Sequence, residues 1–128
     1  MVKRYDVNSV RSPGGRYSHV GEIGPGGRVF HLAGQTGTAP DGTTPEGIEA
    51  QSRQVYQNIA SILEECGMGL ENLVKVTIYL TDPDNIDNWR AAQKEAFGDI
   101  TPASTLLVIS RLARPEYLVE VEAVAAID

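Results

Sequence analysis

Glu120 and Glu122 are the side chains of this sequence best suited to proton chemistry. They lie in Leu118-Val119-Glu120-Val121-Glu122-Ala123-Val124-Ala125-Ala126-Ile127, where side-chain character alternates with period two. Successive strand residues point to opposite faces, so the two carboxylates share a face, roughly 6.5 Å apart. Val119, Val121, Ala123, Ala125 and Ile127 occupy the other face. Held away from water, two such carboxylates raise each other's pKa and can serve as acid and base; left in water, they are a solvated surface pair. Ser104 and Thr105 can both donate and accept hydrogen bonds, and suit either a neutral polar ligand or a strand-end cap. His19 and His31 are the two histidines of the chain. Neither has zinc-ligand spacing or sits in a recognisable serine–histidine–acid motif, so neither a metal nor a triad is expected. His19 falls two residues after Tyr17 and shares its side of the chain. It can act as an acid or base near neutral pH, or simply be satisfied structurally.

The elements that must position these residues can be read from periodicity. The order is strand, strand, strand, helix, strand, helix, strand, strand. Val2 to Val7 reads as a short edge strand. Tyr17 to Ile23 and Arg28 to Gln35 read as a hairpin turning at Gly24-Pro25-Gly26-Gly27. A helix is expected from Thr44 as N-cap and Pro45 as first helical residue. Its buried stripe is Ile48, Ser52, Val55, Ile59, Ile62 and Cys66, closed by Gly67 beyond its C-terminus. The cysteine therefore reads as inert packing. Leu73 to Leu80 alternates Val74, Val76, Ile78 and Leu80 against Lys75, Thr77 and Tyr79. Asp82-Pro83-Asp84 ends that strand and caps a second helix running to about Phe97. Thr105 to Ile109 is apolar on both faces and reads as a central strand.

Two helices cover one face of such a sheet. The other face, with Glu120, Glu122, Thr77 and Tyr79, needs a different partner, and a second copy of the chain is the economical one. Polar residues at that boundary would line clefts between subunits, where ligand sites are favoured.

Composition excludes several classes. The chain has 128 residues, 41% of them hydrophobic and 22% charged, with one cysteine and a net charge of −6. This fits a single domain spanning residues 1–128. The acidic balance and scattered Lys and Arg argue against a nucleic-acid partner. No apolar run is long enough for a membrane span. One cysteine precludes an internal disulfide, and the N-terminal residues lack an apolar signal core, so a cytoplasmic protein is expected.

Over its whole length the sequence resembles the RidA/YjgF family. The resemblance rests on Tyr17 after a Gly-rich loop, Ala33-Gly34-Gln35, Gln51-Ser52-Arg53-Gln54 with Asn58-Ile59, and Val74-Lys75-Val76-Thr77-Ile78-Tyr79-Leu80. It continues through Thr101-Pro102-Ala103, Arg111-Leu112 and Glu120-Val121-Glu122-Ala123-Val124-Ala125. It implies an α+β, chorismate-mutase-like fold: a six-stranded mixed sheet with two helices on one face, in a homotrimer with a central barrel. It implies a small-molecule ligand in the inter-subunit clefts, no cofactor, and hydrolysis of reactive imines and enamines to a carbonyl compound and ammonia. Glu120 matches the position that orders the attacking water, and Tyr17 matches the cleft tyrosine. Ala33, Gly34, Ser104, Thr105 and His19 are the expected substrate contacts. One departure matters. Imine-deaminating members carry Arg after the Pro-Ala pair to hold the substrate carboxylate, and here that residue is Ser104. A hydrogen bond to a charged group contributes roughly 1.5–3 kcal/mol, so losing two weakens carboxylate binding by about two to four orders of magnitude. Arg16, Arg90, Arg111 and Arg114 are the available replacements. The alternative reading is a non-catalytic trimer that binds or senses a small molecule.

Overall fold

The computed structural model describes residues 2–128. Along it run β1 (Val2–Tyr5), β2 (Val20–Ile23), β3 (Arg28–Thr36), α1 (Ile48–Glu65), β4 (Leu73–Leu80), α2 (Ile86–Phe97), β5 (Ala103–Val108) and β6 (Val119–Ile127). Four strands form a mixed sheet in the order β3-β6-β4-β5. The β4–β5 pair is parallel, and β6 is antiparallel to both of its neighbours. The alternation in β6 directs Val119, Val121, Ala123 and Ala125 into one core with Val55, Ile59 and Leu63 of α1 and Trp89 and Phe97 of α2. Each large apolar side chain so buried contributes roughly 1.5–3 kcal/mol. Both helices therefore cover one face, and the class is α+β as expected. No helix among the described residues is long and apolar enough to cross a membrane.

The six strands divide differently from a single sheet. β1 and β2 pair with each other as a separate two-stranded ribbon. The hairpin expected between β2 and β3 is not formed. The turn itself is present, with Gly27 N–H donating to the Gly24 carbonyl at 3.2 Å. Its central residues are Pro25 and Gly26, and Gly26 has φ +79°, which makes it a type II turn. That geometry splays the flanking strands instead of twisting them together. β2 consequently joins β1, and β3 joins β6.

Two helix expectations change. α1 begins at Ile48, after Gly47 at φ +89°, a left-handed break that a helix cannot run through. Thr44, the expected cap, instead bonds the Thr38 hydroxyl at 2.9 Å. At the other end Gly67 takes the expected place beyond the helix. The Met68 and Gly67 N–H groups reach back to the Leu63 and Glu64 carbonyls at 2.8 and 3.0 Å, a Schellman closure. Cys66 sits at that frayed end and is exposed, not part of the buried stripe. The Asp82 carboxylate accepts from Asp84 N–H at 2.9 Å. It caps a 3-10 turn, Pro83–Asn85, that precedes α2.

The strand read as central is at the edge. β5 is the last strand of the sheet, and Leu107 and Val108 are 44% and 45% exposed. Continuous apolarity reports that both faces seek cover; it does not report where a strand lies in the pairing order.

Candidate functional site

The register places side chains in rows across the helix-free face. Thr105, Thr77 and Glu122 lie opposite one another on β5, β4 and β6. The next row is Leu107, Tyr79, Glu120 and Thr36. Glu120 and Glu122 thus share a face, as their spacing requires, but their surroundings differ. Glu122 is exposed and accepts a hydrogen bond from the Tyr79 hydroxyl at 2.5 Å. That bond, with smaller contributions from burial and from the charges of Glu122 and Glu120, holds the Tyr79 phenol above its ordinary pKa. Glu120 is half-buried. Its carboxylate lies against the backbone of Gly34, where a Cβ would come within 2.9 Å of the Glu120 Cδ. Here the β3–β6 ladder shifts register between Leu32 and Gln35, and such an irregularity re-aims the chain it bends. Ala33 and Gly34 occupy the shift. Gln35 turns its amide toward the Ala33 carbonyl at 3.4 Å. Thr105 is engaged by the Lys75 ammonium at 2.6 Å.

Ser104 faces the other way. It pairs opposite Val76, a core residue, and so lies on the helix side of the sheet. There it lines a cleft of about 1040 Å³ between the loop around residues 11–17, α2 and β5. Tyr17 and Thr101 line the same cleft. Ser18 holds the loop in place: its hydroxyl donates to the Thr101 carbonyl at 2.7 Å, and it bridges Ala103. Arg16 and Arg90, two of the possible replacements for the missing arginine, also border the cleft. Arg111 spends its guanidinium on the Leu112 and Ala113 carbonyls, both at 3.0 Å.

His19 is placed beside Tyr17, with ring centroids 6.3 Å apart, yet both its ring nitrogens are engaged by backbone. Nδ1 accepts from Val7 N–H at 3.1 Å, and Nε2 lies 2.9 Å from the Arg11 carbonyl. An accepting Nδ1 assigns the proton to Nε2, which then donates. The ring ties the N-terminal segment to the loop. His31 is exposed on the open face, bordering a hollow of about 220 Å³ with Thr77, Lys75 and Glu122. Among the described residues no three His, Cys, Asp or Glu side chains are grouped to hold a metal ion.

The expected site residues therefore fall into two half-sites on opposite faces of one sheet: Glu120, Gly34 and Thr105 on one, Ser104 and Tyr17 on the other. Sequence reading passed over four contributors, Tyr79, Lys75, Arg11 and Lys94. Tyr79 as partner of Glu122, and Lys75 as partner of Thr105, were present in the period-two pattern of β4 but needed the register to be matched. Of the cations gathered around Ser104, Arg16 and Arg90 are among the replacements the sequence offers, whereas Arg11 and Lys94, from a loop and a helix far apart in the chain, carry no local signal.

The family model described as Endoribonuclease L-PSP matches residues 9–127. The chain is 36% identical over 115 residues to a RutC family protein of Pyrococcus abyssi, covering 88% of this chain and 87% of that protein. It is 27% identical over 128 residues to the mouse protein named 2-iminobutanoate/2-iminopropanoate deaminase, covering 97% and 92% of the two chains. Its fold resembles the crystal structure of a Rid family protein of unknown function from Yersinia pestis, with a TM-score of 0.88, 25% identity and 98% of each chain covered.

Proposed function

From the premise that this chain belongs to the RidA/YjgF family, the endoribonuclease L-PSP family, we propose that it hydrolyses small reactive imines or enamines to a carbonyl compound and ammonia. The observation that carries this reading is the Glu120 carboxylate, half-buried on the helix-free face and seated on the Gly34 backbone. A carboxylate so placed can orient a water and take its proton as the oxygen bonds to the C=N carbon. The nitrogen gains that proton in the resulting carbinolamine. The carbinolamine hydroxyl then gives its proton to nitrogen, with the same carboxylate as the carrier, as the C–N bond breaks, ammonia leaves and C=O forms. Water and the imine supply every atom, and no cofactor is called for. The name of the mouse relative supports the reaction class.

Because one protomer holds Ser104 and Glu120 on opposite faces, a site that uses both draws them from two protomers. A homotrimer that buries the helix-free faces supplies such boundaries. The compartment belongs to the same proposal: Cys66 is free and exposed, which suits the reducing cytoplasm.

Purified protein is expected to accelerate the decay of 2-iminopropanoate or of a neutral imine. Glu120→Gln is expected to lower that rate at least about a hundredfold with the fold intact. Equal decay with and without the wild-type protein would remove the hydrolase reading. Ser104, in the place where imine-deaminating members carry arginine, favours the second reading, a binding or sensing trimer. Its signature is a ligand that raises the melting temperature and is recovered unchanged.

A further inference from the structure

We propose that the cleft beside Ser104 binds a small oxyanion carrying more than one negative charge, a phosphomonoester or a dicarboxylate, with Arg16 and Arg90 as its anchors. The chain as a whole is acidic, at −6. The described residues bordering this one cleft nevertheless include four cations, Arg11, Arg16, Arg90 and Lys94, and no carboxylate. Four like charges around one hollow repel one another unless solvent or a counter-charge offsets them. A site for a neutral molecule has no use for such a set.

The cations reach the cleft from independent elements. Arg11 and Arg16 come from the loop; Arg90 and Lys94, four residues apart, share a face of α2. Their internal partners are weak competitors. Asp87 lies 3.5 Å from Arg90 and Asp99 lies 3.7 Å from Lys94, and both carboxylates are fully solvated; exposed pairs of this kind contribute little. Lys94 also donates to the Gly98 carbonyl at 2.8 Å. The Arg90 guanidinium carbon lies 6.0 Å from the Trp89 ring centroid, at the outer limit of a cation–π interaction. Guanidinium forks match the oxygens of phosphate and carboxylate, and the Ser104 and Thr101 hydroxyls add neutral donors on the same wall. The volume, about 1040 Å³, is at the upper end of small-molecule sites and admits a multiply charged anion with its hydration. Ser104 has therefore not abolished anion recognition in this chain. On this reading the positive charge at the cleft is supplied by the loop and α2 and not by β5.

The inference rests on the reading that Ser104 and Tyr17 belong to the substrate cleft, and it names the charge class that cleft selects. It is tested by titration calorimetry on the full chain with four probes: inorganic phosphate, succinate, pyruvate and methyl pyruvate. Phosphate and succinate are expected to bind more tightly than pyruvate, and methyl pyruvate not measurably. The double variant Arg16→Gln with Arg90→Gln is expected to weaken phosphate and succinate about tenfold or more, whereas Lys3→Gln, outside the cleft, leaves them unchanged. Adding Ser104→Arg to the double variant is expected to restore part of the affinity. Arg16→Gln alone, on the exposed loop, serves the same comparison should the double variant fail to fold. Equal binding of charged and neutral probes, or an arginine variant that binds as wild type does, overturns the proposal. So does a single-stranded RNA oligonucleotide that binds more tightly than phosphate, because the cleft would then serve a polymer. Imine hydrolysis is measured separately. Arginine-dependent anion binding without turnover removes the hydrolase reading and leaves this one standing; turnover without anion preference does the reverse.

Discussion

Glu120 and Gly34 form a matched pair. The carboxylate occupies the space where any other residue at position 34 would place its Cβ. The group that must move is the far end of a flexible side chain, so Gly34→Ala is expected to change stability by less than about 1 kcal/mol. By displacing Glu120 it should nonetheless depress imine hydrolysis nearly as far as Glu120→Gln. Melting curves and rates on the same preparation check both halves. Tyr79 carries a separate pH signature. Its pKa is raised above the ordinary 10.0 chiefly by the hydrogen bond to Glu122. A group whose pKa is higher folded than unfolded contributes stability below its unfolded pKa and loses it as pH rises through the folded one. Wild type should therefore lose stability above about pH 10 more steeply than Tyr79→Phe, which thermal melts at stepped alkaline pH will show. Alternation in β6 was enough to show that Glu120 and Glu122 share a face. That one of them engages Tyr79 and the other lies on Gly34 depends on which strands flank β6, and those lie far away in the chain.

At the scale of elements, the helices were legible from the 3.6-residue recurrence of apolar positions, and their ends less so. Gly47 stops α1 from starting at Thr44 because of its left-handed backbone, and nothing in the residue types around it distinguishes that glycine from a loop residue. The two helices are joined by a polar contact inside the core. Trp89 Nε1–H donates to the Tyr56 hydroxyl at 2.8 Å, and that hydroxyl donates to Gln93 Oε1 at 2.6 Å. Burial pushes the Tyr56 phenol well above its usual pKa, which keeps the donor protonated. Tyr56→Phe leaves the buried indole N–H without its acceptor and is expected to cost about 1–3 kcal/mol in urea unfolding. A smaller loss would mean that α1 and α2 are held by apolar packing alone. Strand pairing was the less legible part. A Pro-Gly turn between two apolar runs signals a hairpin, but the type II geometry at Pro25-Gly26 sends β2 and β3 to different partners.

For the whole molecule, assembly turns on the helix-free face. Leu107 of β5 shares its row with Tyr79 and Glu120 and is exposed in one protomer. If this face is buried between copies, Leu107→Glu places a charge in the interface. The variant is then expected to sediment as a protomer with unchanged circular dichroism, while wild type sediments as a trimer. A wild-type protomer in solution would leave the two half-sites unjoined and count against the composite cleft.

The sequence by itself determined which residues share a face, the number and kind of elements, and the one-sided helix cover. Each of these follows from local periodicity and backbone preference. The tertiary structure alone decided that β5 lies at an edge, that the strands divide into four and two, and that Ser104 and Glu120 look in opposite directions. It alone gathered four cations from a loop and a helix around one hollow of an acidic chain. Pairing partners and convergent charges are set by contacts between segments distant in the chain, and the spacing of residues within any one segment does not encode them.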